Sequence, residues 1–335
     1  MAHNLTTHAN GIVEMFSAGS APVWHQLGQR TEQAVTSTAA LKLAGLDWNV
    51  ECQPIQLVGS ASQHSPRPIT THKAVVRTDT ADILGVVGRM YCPIQNEQAF
   101  GWLDDVVGER LAIFETAGSI HGGRTVWMLL RIPKELRVRA TDDLIQPYLL
   151  AVNTHDGTRA LRVFSTAVRV VCNNTLTLAL RSAGTTGLTL RHTENALTRI
   201  EHARKVLEIA HRQFTTFQKQ ADLLASAKLD DRQAKRYFDL IWPDDPDAES
   251  NTRTANVRDR FMANFHDDQQ RLPGIEGTWW AAFNAVSQWT DHERTSRGAG
   301  AMQKAGNRLH SIWLGNSADL KRTAWDTALE LARVN

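Results

Sequence analysis

The chain has 335 residues, of which 42% are hydrophobic and 21% are charged, and its formal net charge is +2. This balance excludes a wholly disordered polymer and leaves no global field that would attract nucleic acid, so any affinity for a polyanion must come from a local patch. The three cysteines, Cys52, Cys92 and Cys172, form no CxxC pair, which excludes a disulfide framework and a zinc knuckle.

The sequence also lacks signals that would place the protein in or across a membrane. No apolar run approaches the ~20 residues that span a bilayer. Residues 1–16 have neither the basic region nor the apolar region of a secretory signal. We therefore expect a cytoplasmic protein without a membrane partner.

Local patterns before residue 110 predict short helices and strands. A helix is expected from Ser37, a capping residue, to Leu46, with Gly45 as its stop signal. Alternating apolar and polar residues predict a strand from Trp48 to Cys52. A polar loop is predicted at 59–68 and a hairpin at 72–87. A third strand is predicted at 89–94, and a helix capped by Asn96 is predicted at 96–107.

Two further hairpins are predicted around glycine-containing turns. Residues 111–120 and 124–132 flank His121-Gly-Gly123, and residues 149–153 and 159–172 flank Asp156-Gly157. These glycines supply the positive φ that a tight hairpin turn needs. Strands joined in this way are antiparallel, so we predict an α+β fold with an antiparallel β-hairpin sheet and packed helices, and we exclude a doubly wound nucleotide-binding fold.

The sequence after residue 192 has the pattern of a helical region. A long helix is predicted from Thr193, because apolar residues recur at steps of three and four: Leu197, Ile200, Ala203, Leu207, Ala210, Phe214, Phe217, Ala221 and Leu224. Such a seam packs against a partner, either within the chain or in another subunit. Later helices are expected at 252–265, 277–294 and 318–334. We divide the chain into an α+β domain, 1–192, and a helical region, 193–335, with an acidic exposed loop at 243–251.

The sequence carries no recognisable catalytic constellation. The segment Gly298–Lys304 contains glycines and a lysine, but its spacing is wrong for a phosphate-binding loop, and Ala305 stands where a hydroxyl residue is needed. His202 and His211 lie nine residues apart, which is not the spacing that puts two imidazoles on one metal ion. We therefore expect no catalysis, no cofactor and no metal. An enzyme hypothesis would rest on the cluster Asp291-His292-Glu293.

The most informative segment runs from Arg159 to Arg191, because it is locally basic. From Arg159 through Arg212 the chain has nine Lys or Arg residues against three Glu and no Asp. We predict a long strand that runs into a helix capped by Asn173 or Asn174, where free backbone N–H groups add to the positive surface. Spaced arginines beside such a terminus suit a phosphate backbone. The predicted contact residues are Arg89, Arg124, Arg159, Arg162, Arg169, Arg181, Arg191 and Lys205.

A simpler interpretation of these arginines stays open. They could pair with Glu194, Glu201 and other carboxylates, or they could only solvate the sheet. Binding of unpaired bases would also need aromatic side chains. Phe164 and Trp127 lie on candidate strands and could serve in this way or belong to the core.

Several clustered motifs run through most of the chain. They are Trp24-His-Gln-Leu-Gly28, Leu46–Val50, Gly85–Asn96, Arg169–Leu176, Arg191–Thr193, and Trp279–Val286 with Asp291-His292. Together they resemble the phage/plasmid-like family known as domain of unknown function 932. The resemblance implies a protein carried by mobile elements, and the family name assigns no biochemical role.

The order of elements from Thr36 to Val107 gives a second resemblance, at the level of the fold. A short helix, a Trp-bearing strand, two hairpin strands, a further strand and a helix follow one another, and this order is similar to the β-β-β-α core of Rad/Sak-type single-strand annealing proteins. That resemblance implies rings or filaments that hold single-stranded DNA in a basic groove without hydrolysing nucleotide.

The leading hypothesis is a phage- or plasmid-encoded protein that binds and anneals single-stranded DNA for recombination. It would act as a homo-oligomer, a ring or a filament, in the host cytoplasm, with a phage or host recombination protein as a further partner. The alternative is a phage structural or anti-defence module that interacts with proteins and needs no nucleic acid.

Overall fold

The computed structural model describes residues 15–18, 29–31, 36–58, 66–171, 174–175, 187–193 and 204–334. In these ranges two sheets with mostly antiparallel strands pack with helices, which confirms the predicted α+β class. The strands are β1 (Met15–Ala18), β2 (Gln29–Thr31), β3 (Val50–Leu57), β4 (Arg67–Arg77), β5 (Ile83–Gly88), β6 (Ile113–Ile120), β7 (Thr125–Arg131), β8 (Leu136–Arg137), β9 (Leu144–Thr154), β10 (Leu161–Arg169), β11 (Asn174–Thr175) and β12 (Leu188–Leu190). The helices are α1 (Ser37–Leu43), α2 (Asn96–Phe100), α3 (Leu103–Gly108), α4 (Arg204–Ser226), α5 (Asp231–Ile241), α6 (Thr252–Phe265), α7 (Trp279–Gln288), α8 (Ala301–Leu314) and α9 (Asn316–Val334).

The larger sheet has the strand order β11-β10-β9-β7-β6-β1-β2, with β12 also paired to β10 and β8 to β9. The smaller sheet has the order β3-β4-β5. All three predicted hairpins are present with antiparallel pairing. The turn glycines have the expected backbone, with φ of 69° at Gly122, 91° at Gly123 and 76° at Gly157.

Helices cover the larger sheet on both faces. Along β7, Val126 and Met128 belong to a large core cluster, whereas Trp127 and Leu129 belong to a second cluster that contains Trp313 of α8. Successive strand residues point to opposite faces. Because both faces are covered here, β7 has apolar residues at nearly every position. Trp127 and Phe164 are therefore core residues and are not stacking platforms for bases.

The described part of the predicted helical seam, from Ala210 to Leu224, is buried inside the chain. Phe214, Phe217 and Leu224 of α4 are buried, and the ring of Phe217 stacks on Trp325 of α9 at 5.3 Å. The start predicted at Thr193 lies next to residues 194–203, which are outside the described part of the chain. One core cluster includes side chains from both the sheets and the helices, so the described residues on the two sides of position 192 share a core.

Several local predictions before residue 110 are wrong. Residues 89–94 form a turn and an irregular segment, in which Pro93 has no N–H to donate to a strand partner. The side chain that caps α1 belongs to Thr36, and the α2 cap is Gln95, which forms a capping box with Gln98. Asn96 instead donates its amide to the carbonyl of Leu46. A long-range bond thus takes the side chain that the local pattern assigned to a cap.

The acidic segment between α5 and α6, predicted as an exposed loop at 243–251, is exposed at residues 243–250, whereas Asn251 is half-buried. Within the described ranges, no helix is both long enough and apolar enough to cross a membrane.

Candidate nucleic-acid interface

Two hairpin turns bring Arg124 and Arg159 to the same end of the larger sheet. Thr125 at the start of β7 pairs with Thr154 at the end of β9, so the β6–β7 turn lies beside the β9–β10 connection. The N–H of His155 donates to the carbonyl of Arg124 at 2.8 Å, which joins the two turns directly. Glycine-containing turns and strand register together fix this arrangement.

Two other segments place Arg191 and Arg89 at that end. Leu190 of β12 pairs with Leu161 of β10, so Arg191 follows at the start of β10. The ring of His192 stacks on Tyr91 at 4.8 Å, and the hydroxyl of Tyr91 donates to the carbonyl of Thr154. Arg89 lies two residues before Tyr91 in the same turn segment. We call the four residues Arg89, Arg124, Arg159 and Arg191 the turn-end surface.

The side chains of the turn-end surface are available to a ligand. Arg89, Arg124 and Arg191 are exposed, and Arg159 is half-buried, with Nη2 donating to the carbonyl of Leu314. Within the described ranges none of the four forms an ion pair with a carboxylate. The carboxylate of Asp156 in the β9–β10 connection accepts hydrogen bonds from the N–H and hydroxyl of Thr158. Among the described residues, Asp156 is therefore a carboxylate near these four arginines that forms no ion pair with them.

Buried polar side chains pack inside the molecule next to this end of the sheet. Nε2 of His155 lies 2.9 Å from Oδ1 of Asn96, and the guanidinium of Arg77 sits 4.2 Å from the ring of Trp48. Burial, with help from the nearby His192 and Arg77, lowers the pKa of His155 to about 3. Burial also lowers the pKa of His192 to about 4. Both imidazoles are neutral at pH 7, so the arginines carry the positive charge of the surface.

The small sheet packs closely against the same end. A Cβ added at Gly85 of β5 would lie 2.7 Å from the Cα of Asp156, closer than side-chain and backbone atoms approach in proteins. The absence of a side chain at Gly85 therefore permits β5 to cross the β9–β10 connection.

Arg169 does not belong to the interface, and this part of the prediction is wrong. Its side chain is 0% exposed, and Nε donates to Asp143 at 2.8 Å. The guanidinium also donates to the side-chain oxygen of Gln270, while the indole of Trp280 donates to Asp143. Arg169 thus belongs to a buried polar network, some eight residues and roughly 27 Å along β10 from the turn-end surface.

The other predicted residues are placed only in part. Arg162 is half-buried on β10 between Val152 and Thr189, and its Nε is buried with no hydrogen-bond partner among the described residues. Lys205 lies in the first described turn of α4, and its side chain is outside the described residues, as is all of Arg181.

The predicted helix N-terminus beside the arginines is also wrong at Asn174. Asn174 lies in β11, pairs with Arg169 and donates its amide to the carbonyl of Asn284. Asn173 is outside the described ranges.

The cluster considered for an enzyme is split among three separate partners. Asp291 is buried and accepts from Lys321 at 2.8 Å. His292 contacts Asn174, and Glu293 pairs with Arg260. Asp291 and His292 contact the neighbouring residues Thr175 and Asn174 of β11, so all three side chains of the cluster are engaged by other residues of the chain. Across the described residues, no group of three or more His, Cys, Asp or Glu side chains is placed to hold a metal ion.

The comparisons with known proteins give a family and no function. The profile of the family described as Domain of unknown function (DUF932) matches residues 83–313, a stretch that contains the turn-end surface and reaches the end of α8. No curated protein and no solved structure matches the chain significantly. Since the matched stretch is well over half of the sequence, the chain belongs to the Domain of unknown function (DUF932) family.

Proposed function

We propose that this protein binds and anneals single-stranded DNA as a homo-oligomer and hydrolyses no nucleotide. The observation that carries the proposal is the turn-end surface, where four segments distant in sequence each contribute an arginine without a carboxylate partner in the described structure. Arginines converging in this way neutralise the phosphates of a flexible strand, and association releases the counterions of that strand.

Annealing at such a surface needs no bond chemistry. Arginines that neutralise the phosphates of two strands lower the repulsion between them, while the bases stay free to pair. The absence of a nucleotide-hydrolysis motif in the sequence is consistent with this mode of action.

The order of elements supports the same function by analogy. Helix α1, the three strands β3, β4 and β5, and the helices α2 and α3 follow one another in the order of the β-β-β-α core of Rad/Sak-type annealing proteins. A shared order of elements does not by itself imply a shared function. We extend the proposal to a phage- or plasmid-encoded protein acting in the host cytoplasm with a recombination partner.

Assembly in this proposal uses the small sheet, because the described part of the α4 seam, from Ala210 to Leu224, is already buried within the chain. Edge strand β5 and the following turn expose large apolar side chains, with Ile83, Val86 and Met90 more than half exposed. Exposed apolar residues on an edge strand favour pairing with a second copy, and β5 has no partner beyond β4 among the described strands.

The direct test is an electrophoretic shift of a single-stranded oligonucleotide at low and moderate salt. We expect a shift at low salt that the variant Arg89→Glu/Arg124→Glu/Arg191→Glu loses. These side chains are exposed, so the variant is expected to fold, which circular dichroism checks.

The absence of a shift at low salt with the pure protein would end the proposal. A variant that keeps the biological activity of the protein despite the three reversed charges would favour the alternative, a module that interacts with proteins.

A further inference from the structure

A second basic site lies in the helical region, among α6, α8 and the π-helical turn Trp289–Glu293 that follows α7. It is a pocket of about 630 Å³, a volume within the range of small-molecule sites. Asn307, Arg308 and Ser311 of α8 face this pocket, whereas Leu309 and Trp313 of the same helix pack on the larger sheet. Helix α8 thus separates the pocket from the sheet.

The pocket is rich in arginine and poor in compensating charge. Arg253, Arg294, Arg297 and Arg308 line it, together with one carboxylate, Glu293. Arg253 and Arg297 are exposed and form no ion pair with any described residue. Glu293 is already paired with Arg260. The walls therefore present several guanidinium groups without carboxylates of their own.

Arg294 is the most informative of these side chains. It is half-buried, and its guanidinium lies 5.4 Å from the ring of Trp289 and 5.8 Å from that of Trp242. The guanidinium has one hydrogen-bond partner in the described structure, the hydroxyl of Ser317, at 3.3 Å. Burial and the nearby Arg253 lower the pKa of Arg294. A cation removed from water without an anion is unfavourable, and a bound anion would relieve this.

The π-helical turn holds these groups in place. The N–H of Arg294 donates to the carbonyl of Trp289 at 2.7 Å, five residues back, so one extra residue is inserted in the turn. Trp289 and Arg294 consequently face the pocket, while Asp291 of the same turn is held by Lys321 in the core. Insertions of this kind are frequent at functional sites.

We propose that this pocket binds a nucleoside phosphate, with its phosphates on the arginines and its base against Trp242 or Trp289. Arginine binds phosphate with two parallel hydrogen bonds, and indole rings stack on planar bases. The hydroxyls of Ser311 and Ser317 lie 2.9 Å apart on the wall and supply neutral partners for phosphate or ribose oxygens. This site is separate from the turn-end surface, so the proposal does not depend on DNA binding.

Isothermal titration of the full chain with ADP, pyrophosphate and adenosine tests the proposal. We expect ADP to bind more tightly than pyrophosphate, and adenosine to bind weakly or not at all. The variant Arg253→Ala/Arg297→Ala removes two exposed side chains and is expected to weaken ADP binding at least about tenfold, since charge-assisted bonds to phosphate are lost. Arg236→Ala, an exposed arginine on α5 outside the pocket, is the matched control and is expected to leave ADP binding unchanged.

Four results would overturn the proposal. Failure of both ADP and pyrophosphate to bind at up to about 10 mM would remove the phosphate site. Equal affinity for pyrophosphate and ADP would remove the stacking role of the tryptophans. Unchanged ADP binding in the double variant would place the nucleotide elsewhere. Binding of oligonucleotides alone would assign the arginines to the DNA. None of these results depends on the turn-end surface, so they are distinguishable from a failure of the proposed function.

Discussion

Oδ1 of Asn307 lies 3.1 Å from Nε2 of His121, and this contact ties helix α8 to the β6–β7 turn. The amide nitrogen of Asn307 donates to the carbonyl of Arg297 at 2.8 Å. One side chain therefore connects the turn that carries Arg124 with the segment that lines the pocket among α6, α8 and the π-helical turn. We call this pocket the arginine pocket. The two basic sites are joined through α8.

Removal of this link is expected to affect stability and both sites. Asn307→Ala loses two hydrogen bonds, which lowers the free energy of unfolding by about 1–2 kcal/mol. The affinities for single-stranded DNA and for ADP are expected to fall together, because the turn-end surface and the pocket both lose the hydrogen bonds of Asn307. Urea denaturation and the two titrations measure these effects. Lys304→Ala, an exposed position on the same helix, serves as control, and equal stability of the two variants would contradict the prediction.

The salt dependence of DNA binding is expected to show how many arginines of the turn-end surface contact phosphates. For single strands the slope of log K against log salt is about −0.7 for each phosphate neutralised, so Arg89→Ala/Arg124→Ala/Arg191→Ala is expected to make the slope shallower by about 2. Fluorescence anisotropy at a series of salt concentrations gives the slope.

A matched control for this measurement lies on α5, where three exposed cations stand away from the turn-end surface. They are Arg232, Lys235 and Arg236. Their replacement by alanine is expected to leave the slope unchanged. Equal slopes for the wild type and the turn-end variant would show that those arginines do not contact phosphate.

Arg169 is expected to matter for folding and not for DNA contact. Arg169→Met leaves the carboxylate of Asp143 buried and unpaired, which lowers the free energy of unfolding by about 3–5 kcal/mol. The second change Asp143→Asn removes that charge and keeps an oxygen for the indole of Trp280, so the double variant is expected to recover part of the loss. Chemical denaturation of the three proteins decides this. A single variant as stable as the wild type would refute the role.

Stability is expected to fall as the pH drops from 7 to 5 because of His155 and His192. Their folded pKa values, about 3 and about 4, lie below the unfolded value near 6.5. The unfolded chain therefore binds protons in this range that the folded chain does not, and each histidine removes about 2 kcal/mol of stability by pH 5.

The variant His155→Gln is expected to reduce this pH dependence, with the exposed His72→Gln as control. Denaturation curves at pH 7, 6 and 5 measure it. Parallel losses of stability in both variants and in the wild type would contradict the assignment to His155.

The oligomeric state is expected to depend on the exposed face of β5. Ile83→Asp/Val86→Asp introduces two charges where a second copy would pack, and sedimentation is expected to show a smaller particle. Leu240→Asp changes a similarly exposed side chain on α5 and is expected to leave the size unchanged. If both variants keep the size of the wild type, the assembly surface lies elsewhere.

The three antiparallel hairpins were predictable from the local chemistry of their turns. The tight turns need residues with positive φ, and the glycines at 122, 123 and 157 supply it. These glycines therefore predicted the antiparallel hairpins that contain them. Strand alternation, however, only says which residues share a face, and cannot say that helices cover both faces. The pairing of Arg169 with Asp143 and Gln270, which lie 26 and 101 residues away, left no local signal. The prediction of a phosphate contact failed for that reason.

The candidate sites show the same limit of sequence patterns. Arg89, Arg124, Arg159 and Arg191 were each recognised as candidates, but the strand register is what gathers them at one end. The arginine pocket was missed because Arg253, Arg294 and Arg308 are dispersed over more than fifty residues of sequence. The occurrence of Trp289, Arg294 and Arg297 within nine residues was a local clue to it.

The close approach at Gly85 brings the small sheet into direct contact with the β9–β10 connection. Because the backbone of Asp156 leaves no room for even a methyl group, a side chain at position 85 would push β5 away from the arginine-bearing turns. In the proposed assembly through β5, the interval between the turn-end surfaces of neighbouring subunits would therefore depend on this contact. A side chain introduced at position 85 would lengthen that interval.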